Sequence, residues 1–225
     1  VIMTEKDIIN QKNIEFHEKN GVKIPYHQSV VIEDNVTIGK GTEILPNTMI
    51  FSGVTIGENC VIGPNTLIKE SVIGNDVKLN SVQCYQSKVL DGADIGPFVH
   101  IRPNSVIGEK VHLGNFVEVK NSNVGVGTKL PHLTYIGDSD IGSGVNMGCG
   151  CITVNYDGKK KHRTIVEDNV FVGCNTNLVA PVTVKQGSYI GAGSTITKEV
   201  PENALGIARA KQKNYEGWAE KQRQS

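Results

Sequence analysis

Arg102 and Lys120 are the two basic residues whose spacing points most directly to chemistry. Each follows an aliphatic residue, Ile101 or Val119, and the two pairs are separated by three periods of six. If three such periods make one turn of a repeating structure, the two cations stack about 5 Å apart and repel by roughly 3 kcal/mol at an effective dielectric constant near 20. An anion between them removes that repulsion, and a guanidinium beside an ammonium suits a phosphate. The alternative is a solvated basic ladder without a ligand.

His132 is the histidine with the most informative position. It lies between Val119 and Ile136, where a regular spacing of aliphatic residues slips. Departures from a consistent local pattern are expected at functional sites. An imidazole there could act as a general base near neutral pH, although a purely structural histidine explains the same position.

Cys149, Cys174 and Ala192 share another phase, because each lies two positions after an apolar residue of the repeat. Small side chains stacked on one face would leave a smooth groove with reachable backbone amides. Such a groove suits an extended thin ligand such as a pantetheine arm. Small residues that only keep a corner tight would give the same pattern, so both interpretations stay open here.

Metal and nucleotide sites are not indicated. His100 and His112 are separated by two periods of six, which is two thirds of a turn and places them on different faces. Cys149 and Cys151 could direct two thiolates to one side of a strand, but no second pair completes a four-ligand zinc set. The Gly-rich stretch 142–150 lacks the strand-to-helix setting of a dinucleotide fingerprint, and a Walker lysine motif is absent. We therefore expect no metal.

A period of six predicts the elements that position these residues. One inward aliphatic residue in each six-residue segment, with Gly or Asn at sharp corners, is typical of a parallel β-helix in which three segments make one coil. An all-β sandwich would show strands of period two instead. The unbroken blocks are Ile32, Ile38, Ile44, Ile50, Ile56, Ile62 and Ile68; Ile95, Ile101, Ile107, Leu113 and Val119; and Val166, Val172, Leu178, Val184, Ile190 and Ile196.

Three segments lie outside the repeat. Thr4 and Asp7 resemble a capping box for a short helix that ends before Asn20-Gly21. Residues 153–164 interrupt the period as a polar loop. From residue 204 the tail carries five Lys or Arg against two Glu, which predicts an irregular or helical arm.

Composition excludes several classes of function. Lys plus Arg and Asp plus Glu both number 23 among 225 residues, so the net charge is zero. This argues against a dedicated nucleic-acid or anionic-membrane binder. No apolar run approaches the roughly 20 residues needed to span a bilayer, and the amino terminus lacks the apolar segment of a signal peptide. We expect a cytoplasmic protein whose five cysteines are reduced thiols.

The repeat resembles the hexapeptide acyltransferase superfamily, and longer strings narrow the resemblance. They are similar to the C-terminal acetyltransferase domain of the bacterial bifunctional N-acetylglucosamine-1-phosphate uridyltransferase/glucosamine-1-phosphate acetyltransferases. The resemblance covers nearly all residues from about 20 to 218. The strings are Gly96-Pro97-Phe98, Arg102-Pro103, Gly114 to Lys120, His132 to Asp138, Asn155-Tyr156-Asp157-Gly158 and Leu178-Val179-Ala180-Pro181.

This resemblance implies an all-β, left-handed parallel β-helix with a short N-terminal helix and a C-terminal arm, assembled as a homotrimer. It implies a linker helix at 1–22 from a missing uridyltransferase domain, a β-helix at 23–203 with the loop at 153–164, and the arm at 204–225. Because the chain begins with Val1, the sequence suggests a fragment of a longer protein.

The resemblance also implies the reaction: transfer of acetyl from acetyl-CoA to the amine of glucosamine 1-phosphate, for UDP-N-acetylglucosamine and cell-wall synthesis. His132 would be the general base. The sugar phosphate would contact Arg102, Lys120, Tyr135, Asn146 and Lys161. Acetyl-CoA would contact Cys149, Asn155, Tyr156, Cys174, Ala192 and Arg209, with Cys149 and Cys174 standing where relatives often carry Ala and Ser.

Other functions remain to be weighed. Cys149 or Cys174 could carry the acetyl group covalently, and another hexapeptide-repeat sugar N- or O-acetyltransferase would share the same motifs. A scaffold or ice-binding β-helix predicts regular Thr ladders without interruptions. A β-helical carbonic anhydrase predicts a three-histidine site, which the histidine phases disfavour.

Overall fold

The computed structural model describes residues 3–224 and shows a parallel β-helix of about ten coils. Each coil contributes short strands to three faces, which we call A, B and C in the order that the chain visits them. Face A contains Val30–Ile32, Thr48–Ile50, Leu67–Lys69, Val82–Tyr85, Val99–Ile101, Ile152–Val154, Asn177–Val179 and Thr195–Ile196.

The other two faces complete the prism. Two long strands, His112–Lys120 and Lys129–Gly137, run from face C into face A without a break. Face B contains Thr37–Ile38, Thr55–Ile56, Val72–Ile73, Lys88–Val89, Val106–Ile107, Asn123–Val124, Ser139–Ile141, Thr164–Val166 and Val182–Val184. Face C contains Glu43–Ile44, Val61–Ile62, Lys78–Leu79, Asp94–Ile95, Asn146–Met147, Phe171–Val172, Tyr189–Ile190 and Leu205–Gly206.

Neighbouring coils are aligned residue by residue. Ile32 pairs with Ile50, and Ile50 pairs with Ile68, so each of these coils contains three full segments of the repeat. The aliphatic residues of the period-six blocks are buried and stack in rows inside the prism. The sequence prediction of a parallel β-helix with one inward aliphatic residue per segment is therefore confirmed.

Small polar residues occupy the inner corners. Thr42 and Ser71 are buried there, and their hydroxyls donate to main-chain carbonyl groups: Thr42 Oγ1 to Gly57 O at 2.8 Å and Ser71 Oγ to Lys69 O at 2.7 Å. These bonds satisfy polar groups that burial would otherwise leave unpaired. The corners themselves use the left-handed backbone region, at glycine or, among the other residue types, most often at asparagine, as at Asn47 with φ 58°.

The coil length changes near the predicted catalytic residue. Lys120 pairs with Gly137, and Val119 pairs with Ile136, so this coil is one residue shorter than three full segments. The coil after it is lengthened by residues 155–163, which leave the prism between the strands Ile152–Val154 and Thr164–Val166. The slipped spacing around His132 is thus a real change of coil length.

Two helices flank the β-helix. Helix α1, Glu5–Lys19, begins with the predicted capping box between Thr4 and Asp7 and ends at Asn20. Asn10 ties it to the first coil, because its side chain donates to Val30 O at 2.9 Å and accepts from Ile32 N at 2.8 Å. A short 3-10 turn covers His27–Ser29.

The carboxyl-terminal arm follows the last coil. The strand Leu205–Gly206 still pairs on face C, and helix α2, Trp218–Gln224, comes after an exposed irregular stretch. Among residues 3–224, no helix combines the length and apolar character needed to cross a membrane.

Substitutions at two neighbouring residues test which side chains form the buried aliphatic row. Ile50→Ala should lower the free energy of unfolding by about 2–5 kcal/mol, because Ile50 is fully buried and its removal leaves a cavity. Met49→Ala on the same strand should change it by only about 0.5 kcal/mol, because Met49 points outward and is 43% exposed. Urea denaturation followed by circular dichroism measures both, and equal losses would contradict the assigned phase.

Candidate active site

The corner between faces A and B, which we call the AB corner, carries the basic pair. Arg102 N donates to Val119 O at 2.8 Å, so Arg102 and Lys120 lie on neighbouring coils as predicted. Each cation has a carboxylate beside it: Arg102 Nη1 lies 2.8 Å from Glu118 Oε1, and Lys120 Nζ lies 3.8 Å from Asp138 Oδ2. The protein's own anions therefore offset the repulsion that sequence reasoning assigned to a ligand.

Asp138 is the buried anion of this corner. Its side chain is only 8% exposed, and its two oxygens accept from Asn121 Nδ2 and Asn155 Nδ2, both at 2.5 Å. Burial raises the pKa of Asp138, but these amide hydrogen bonds and the nearby ammonium groups outweigh it. Its pKa therefore lies below the ordinary range, and the carboxylate stays ionised at neutral pH.

Lys120 sits in a crowded positive environment. The Lys161 side chain close beside it is the main cause that lowers the pKa of Lys120, and burial adds to the effect. Asp138 opposes this shift, while Arg102 reinforces it. Together Arg102, Lys120 and Lys161 form a cationic patch that would attract a phosphate group.

The residues 155–163 form a tied loop above this patch. Asp157 accepts from the main-chain amides of Lys159 and Lys160, both at 2.8 Å, and lies 2.7 Å from His162 Nε2. The amide of Lys160 is the largest cause that lowers the pKa of Asp157, to about 2. Tyr156 bridges Lys161 in antiparallel fashion, so the predicted acetyl-CoA and sugar residues of the loop lie side by side.

Arg163 closes the loop on face B. Its guanidinium makes a two-bonded contact with Asp140, with Nε donating to Oδ2 at 2.9 Å and Nη2 donating to Oδ1 at 2.6 Å. Such paired contacts hold a guanidinium in a fixed plane. Sequence reasoning missed both residues, although the tied pair sets where the loop rejoins the coil.

Tyr135 projects from face A toward the AB corner. Its hydroxyl lies over Gly137, where an added Cβ would overlap the ring and approach Asn155 Nδ2 to 2.7 Å. Only glycine leaves this space open. The structure thus brings together Arg102, Lys120, Tyr135, Asn155 and Lys161.

The corner between faces C and A, which we call the CA corner, carries the second set of predicted residues. His132 pairs with Asn115 on the coil before, and its carbonyl accepts from Gly150 N at 3.4 Å on the coil after. The carbonyls of Cys149 and Cys174 accept from Asn175 N and Gly193 N, both at 2.8 Å. His132, Cys149, Cys174 and Ala192 therefore form one row on four successive coils.

Glycines stand directly before Cys149 and Cys174 in this row. A Cβ added at Gly148 would lie 2.6 Å from Cys174 N, and one added at Gly173 would lie 2.5 Å from Ala192 N. The glycines thus let the coils approach closely. His132 and Cys174 are exposed, and among residues 3–224 no side chain pairs with the His132 imidazole, which leaves both ring nitrogens open to a ligand.

Arg209 lies at the far end of the row. The arm is fixed there because Ala208 N donates to Ser194 Oγ at 3.1 Å and Ala208 O accepts from Thr195 N at 3.0 Å. An added Cβ at Gly193 would lie 3.9 Å from Arg209 Cδ. A guanidinium in this position could contact an anionic group at the end of an extended ligand.

Cys151 does not join Cys149 on the surface. Its thiol is buried and donates to Gly173 O at 3.3 Å, and burial raises its pKa to about 11. The two thiols therefore do not point to one side of the strand. His100 and His112 lie on faces A and C, as predicted, and residues 3–224 hold no cluster of three His, Cys, Asp or Glu side chains suited to a metal ion.

An exposed apolar ridge of Phe98, Phe116 and Leu133 lies beside His132 and was not predicted from the sequence. The rings of Phe98 and Phe116 stack at 5.2 Å with 11° between their planes, and Leu133 follows on the next coil. All three have positive φ, between 47° and 60°, which is costly for bulky residues and persists where the surroundings require it. The repeat phase could have revealed them, because other coils have Asn65 or Asn175 there.

Comparison with known proteins fits this architecture. The bacterial transferase hexapeptide family (six repeats) matches residues 35–70 and 163–198. The chain is 57% identical over 207 residues to the bifunctional protein GlmU of Clostridium perfringens, which covers 92% of this chain and 46% of that protein. The chain belongs to the hexapeptide-repeat transferases.

Other similarities agree with this assignment. The GlmU protein of Listeria monocytogenes is 49% identical over 220 residues, covering 97% of this chain and 48% of that protein. This hexapeptide transferase therefore spans about half the length of the curated relatives it matches. An Arabidopsis UDP-N-acetylglucosamine acyltransferase structure shares the fold with a TM-score of 0.54 at 19% identity, covering 80% of this chain and 71% of that one. The similarities support a left-handed winding.

One predicted residue of the hexapeptide transferase lies apart from the others. Asn146 is exposed on face C, where it pairs with Lys129 and Phe171, while Tyr135 and the cationic patch lie on face A and the AB corner. The CA corner separates the two groups. A single chain therefore does not bring Asn146 to the phosphate-attracting residues.

The cationic patch makes a testable electrostatic prediction. Lys161→Met should raise the pKa of Lys120 toward its ordinary value, because a neighbouring cation disfavours the charged form. Carbon-13 NMR titration of reductively methylated protein, with the Lys120 signal assigned through Lys120→Arg, measures this. Lys159→Met, on the same loop, is the matched control and should leave the signal unchanged; an unmoved Lys120 titration in Lys161→Met would contradict the contact.

Proposed function

We propose that this chain transfers the acetyl group of acetyl-CoA to the amine of glucosamine 1-phosphate, a step toward UDP-N-acetylglucosamine. The observation that carries the proposal is the arrangement of one face. An exposed imidazole and a row of small residues on closely stacked coils lie along its CA corner, and a cationic patch lies along its AB corner. A phosphorylated amino sugar on face A would meet both.

The proposed binding mode places the sugar phosphate at the AB corner and the pantetheine arm along the CA corner. The phosphate would contact Arg102, Lys120 and Lys161, with Tyr135 and Asn146 completing the sugar site. The pantetheine arm would follow Cys149, Cys174 and Ala192, with Asn155, Tyr156 and Arg209 holding the remainder of acetyl-CoA. Cys174 lacks the hydroxyl of a serine there, so main-chain groups would supply more of the polar contacts.

His132 would act as the general base in a direct transfer. The amine nitrogen attacks the thioester carbon, His132 takes the proton that the amine loses, the C–N bond forms and the C–S bond breaks, and CoA leaves as a thiolate. Main-chain amides of the corner would stabilise the oxyanion of the intermediate. No acetylated cysteine is needed on this route.

We also propose a homotrimer with shared sites. The exposed ridge of Phe98, Phe116 and Leu133, the separate position of Asn146 and the exposed arm each require a neighbouring surface to complete a pocket. Light scattering of the purified chain should give a trimer, and mixing inactive Asn146→Ala chains with inactive Lys120→Ala chains should restore part of the activity, because Asn146 and Lys120 of one site would then come from different chains. An active monomer would contradict this assembly.

The reaction itself is tested by thiol release. Glucosamine 1-phosphate with acetyl-CoA should release CoA thiol in the presence of the enzyme, and glucosamine 6-phosphate should serve as the inactive comparison because its phosphate lies elsewhere on the ring. Mass spectrometry of the product should show one added acetyl group. If neither sugar phosphate led to release of CoA thiol, the proposal would be rejected.

The base makes a kinetic prediction. His132→Ala should lower kcat by about 10²- to 10⁴-fold with a modest change in KM, because proton removal from the amine is lost. His112→Ala is the matched control, since His112 is half-exposed on face C and should leave kcat unchanged. Normal kcat in His132→Ala would eliminate the assigned base.

The cysteines make a separate prediction. Cys149→Ser and Cys174→Ser should retain kcat, and incubation with acetyl-CoA alone should leave the protein mass unchanged, because no thiol carries the acetyl group. Intact-protein mass spectrometry and the thiol-release assay measure these outcomes. A mass increase of one acetyl group that disappears on adding glucosamine 1-phosphate would favour the covalent route.

A further inference from the structure

Asp138 contacts more of the candidate site than any role assigned above requires. It follows the strand Lys129–Gly137, and its main chain adopts the left-handed conformation with φ 49°. Its side chain is 8% exposed, and both of its oxygens already accept from amide groups of the protein. Its contacts reach Lys120, which the proposed function assigns to the sugar phosphate, and the loop 155–163, whose residues it assigns to both substrates.

The first element is the loop 155–163, which Asp138 holds at both ends. At the entry, Asn155 Nδ2 donates to the Asp138 carboxylate at 2.5 Å. At the exit, Thr164 N donates to Asp138 O at 3.2 Å, and His162 N donates to Asn155 O at 2.8 Å. Tyr156 and Lys161 lie between these two contacts. The contacts of Asp138 therefore fix the main-chain positions from which both side chains extend.

The second element is Lys120. Asp138 N donates to Lys120 O at 2.9 Å, and its carboxylate is the nearest anion to the Lys120 ammonium, at 3.8 Å. The other carboxylates of the corner already have partners, because Glu118 pairs with Arg102 and Asp140 pairs with Arg163. Without Asp138, the Lys120 ammonium would lie near the positive charges of Lys161 and Arg102 with no nearby carboxylate to offset them.

We propose that Asp138 is a positioning residue that holds Lys120 and the loop 155–163 in one arrangement, so that both substrates depend on its carboxylate. This inference rests on the proposed function, which assigns Lys120 to the sugar phosphate and Asn155 with Tyr156 to acetyl-CoA. Asp138 acts through those residues and touches neither substrate.

The charge and the acceptor capacity of Asp138 both matter. Each of its two oxygens accepts from a different amide group, an arrangement that an amide side chain cannot reproduce because it has only one acceptor oxygen. Asparagine also adopts the left-handed backbone readily. Asp138→Asn therefore removes the charge and one acceptor while leaving the main chain unstrained.

Steady-state kinetics of the full chain with both substrates provides the test. Asp138→Asn should lower kcat/KM for glucosamine 1-phosphate and for acetyl-CoA together, each by about 10- to 100-fold, the range expected for a hydrogen bond to a charged group. Asp91→Asn is the matched control, because Asp91 accepts from Asn75 N at 2.8 Å on a distant coil. It should leave both constants unchanged.

A reciprocal exchange separates positioning from general damage. Asn155→Asp alone should be as harmful as Asp138→Asn, because two carboxylates then face each other. The double variant Asp138→Asn with Asn155→Asp restores one donor facing one carboxylate and keeps a negative charge near Lys120, so it should recover kcat/KM for glucosamine 1-phosphate in part. Failure of the folded double variant to improve on either single variant would overturn the proposal.

A measurement without substrates distinguishes this inference from the proposed function. Hydrogen–deuterium exchange of residues 155–163 should be faster in Asp138→Asn than in the unmodified chain and slower again in the double variant. If the unmodified chain does not acetylate glucosamine 1-phosphate, the proposed function fails whatever the exchange shows. If it is active, unchanged exchange in Asp138→Asn, a change confined to one substrate, or tighter sugar binding overturns the role of Asp138.

Discussion

The in-register stacking of coils is the constraint on which the remainder of the structure depends. Parallel ladders tie each residue to the residue one coil away, and buried aliphatic rows keep that register because a slip would turn them outward. Side chains far apart in sequence thereby become neighbours in space. The cationic patch at the AB corner and the row through His132 at the CA corner both form because the coils stack in register.

Much of the fold could be predicted from the sequence, because the residues that recur every six positions are the ones that the fold buries. The stacking of Arg102 on Lys120 and of Cys174 on Ala192 followed from counting three periods along the chain. The arithmetic weakened where coils departed from that length. The spacing from Val119 to Ile136 located the slip near His132, and the structure shows that it brings Gly137 opposite Lys120.

The candidate site was less predictable than the prism, for an identifiable reason. The pairing of Glu118 with Arg102 and of Asp138 with Lys120 depends on side-chain direction at a corner, which a period does not encode. The loop 155–163 is held by contacts between segments of unrelated phase. The roles of His132, Asn146 and Arg209 came from the family resemblance, and the structure adds their positions.

The coils before the candidate site have a consequence of their own. Every residue assigned to a substrate lies at Arg102 or beyond, while helix α1 docks on the first coil through Asn10. Because each coil contacts only its neighbours, the number of intervening coils sets the distance between helix α1 and the candidate site. Adding or deleting one complete winding would shift the docking end relative to the chemistry by about 4.8 Å, without altering any local environment at either end.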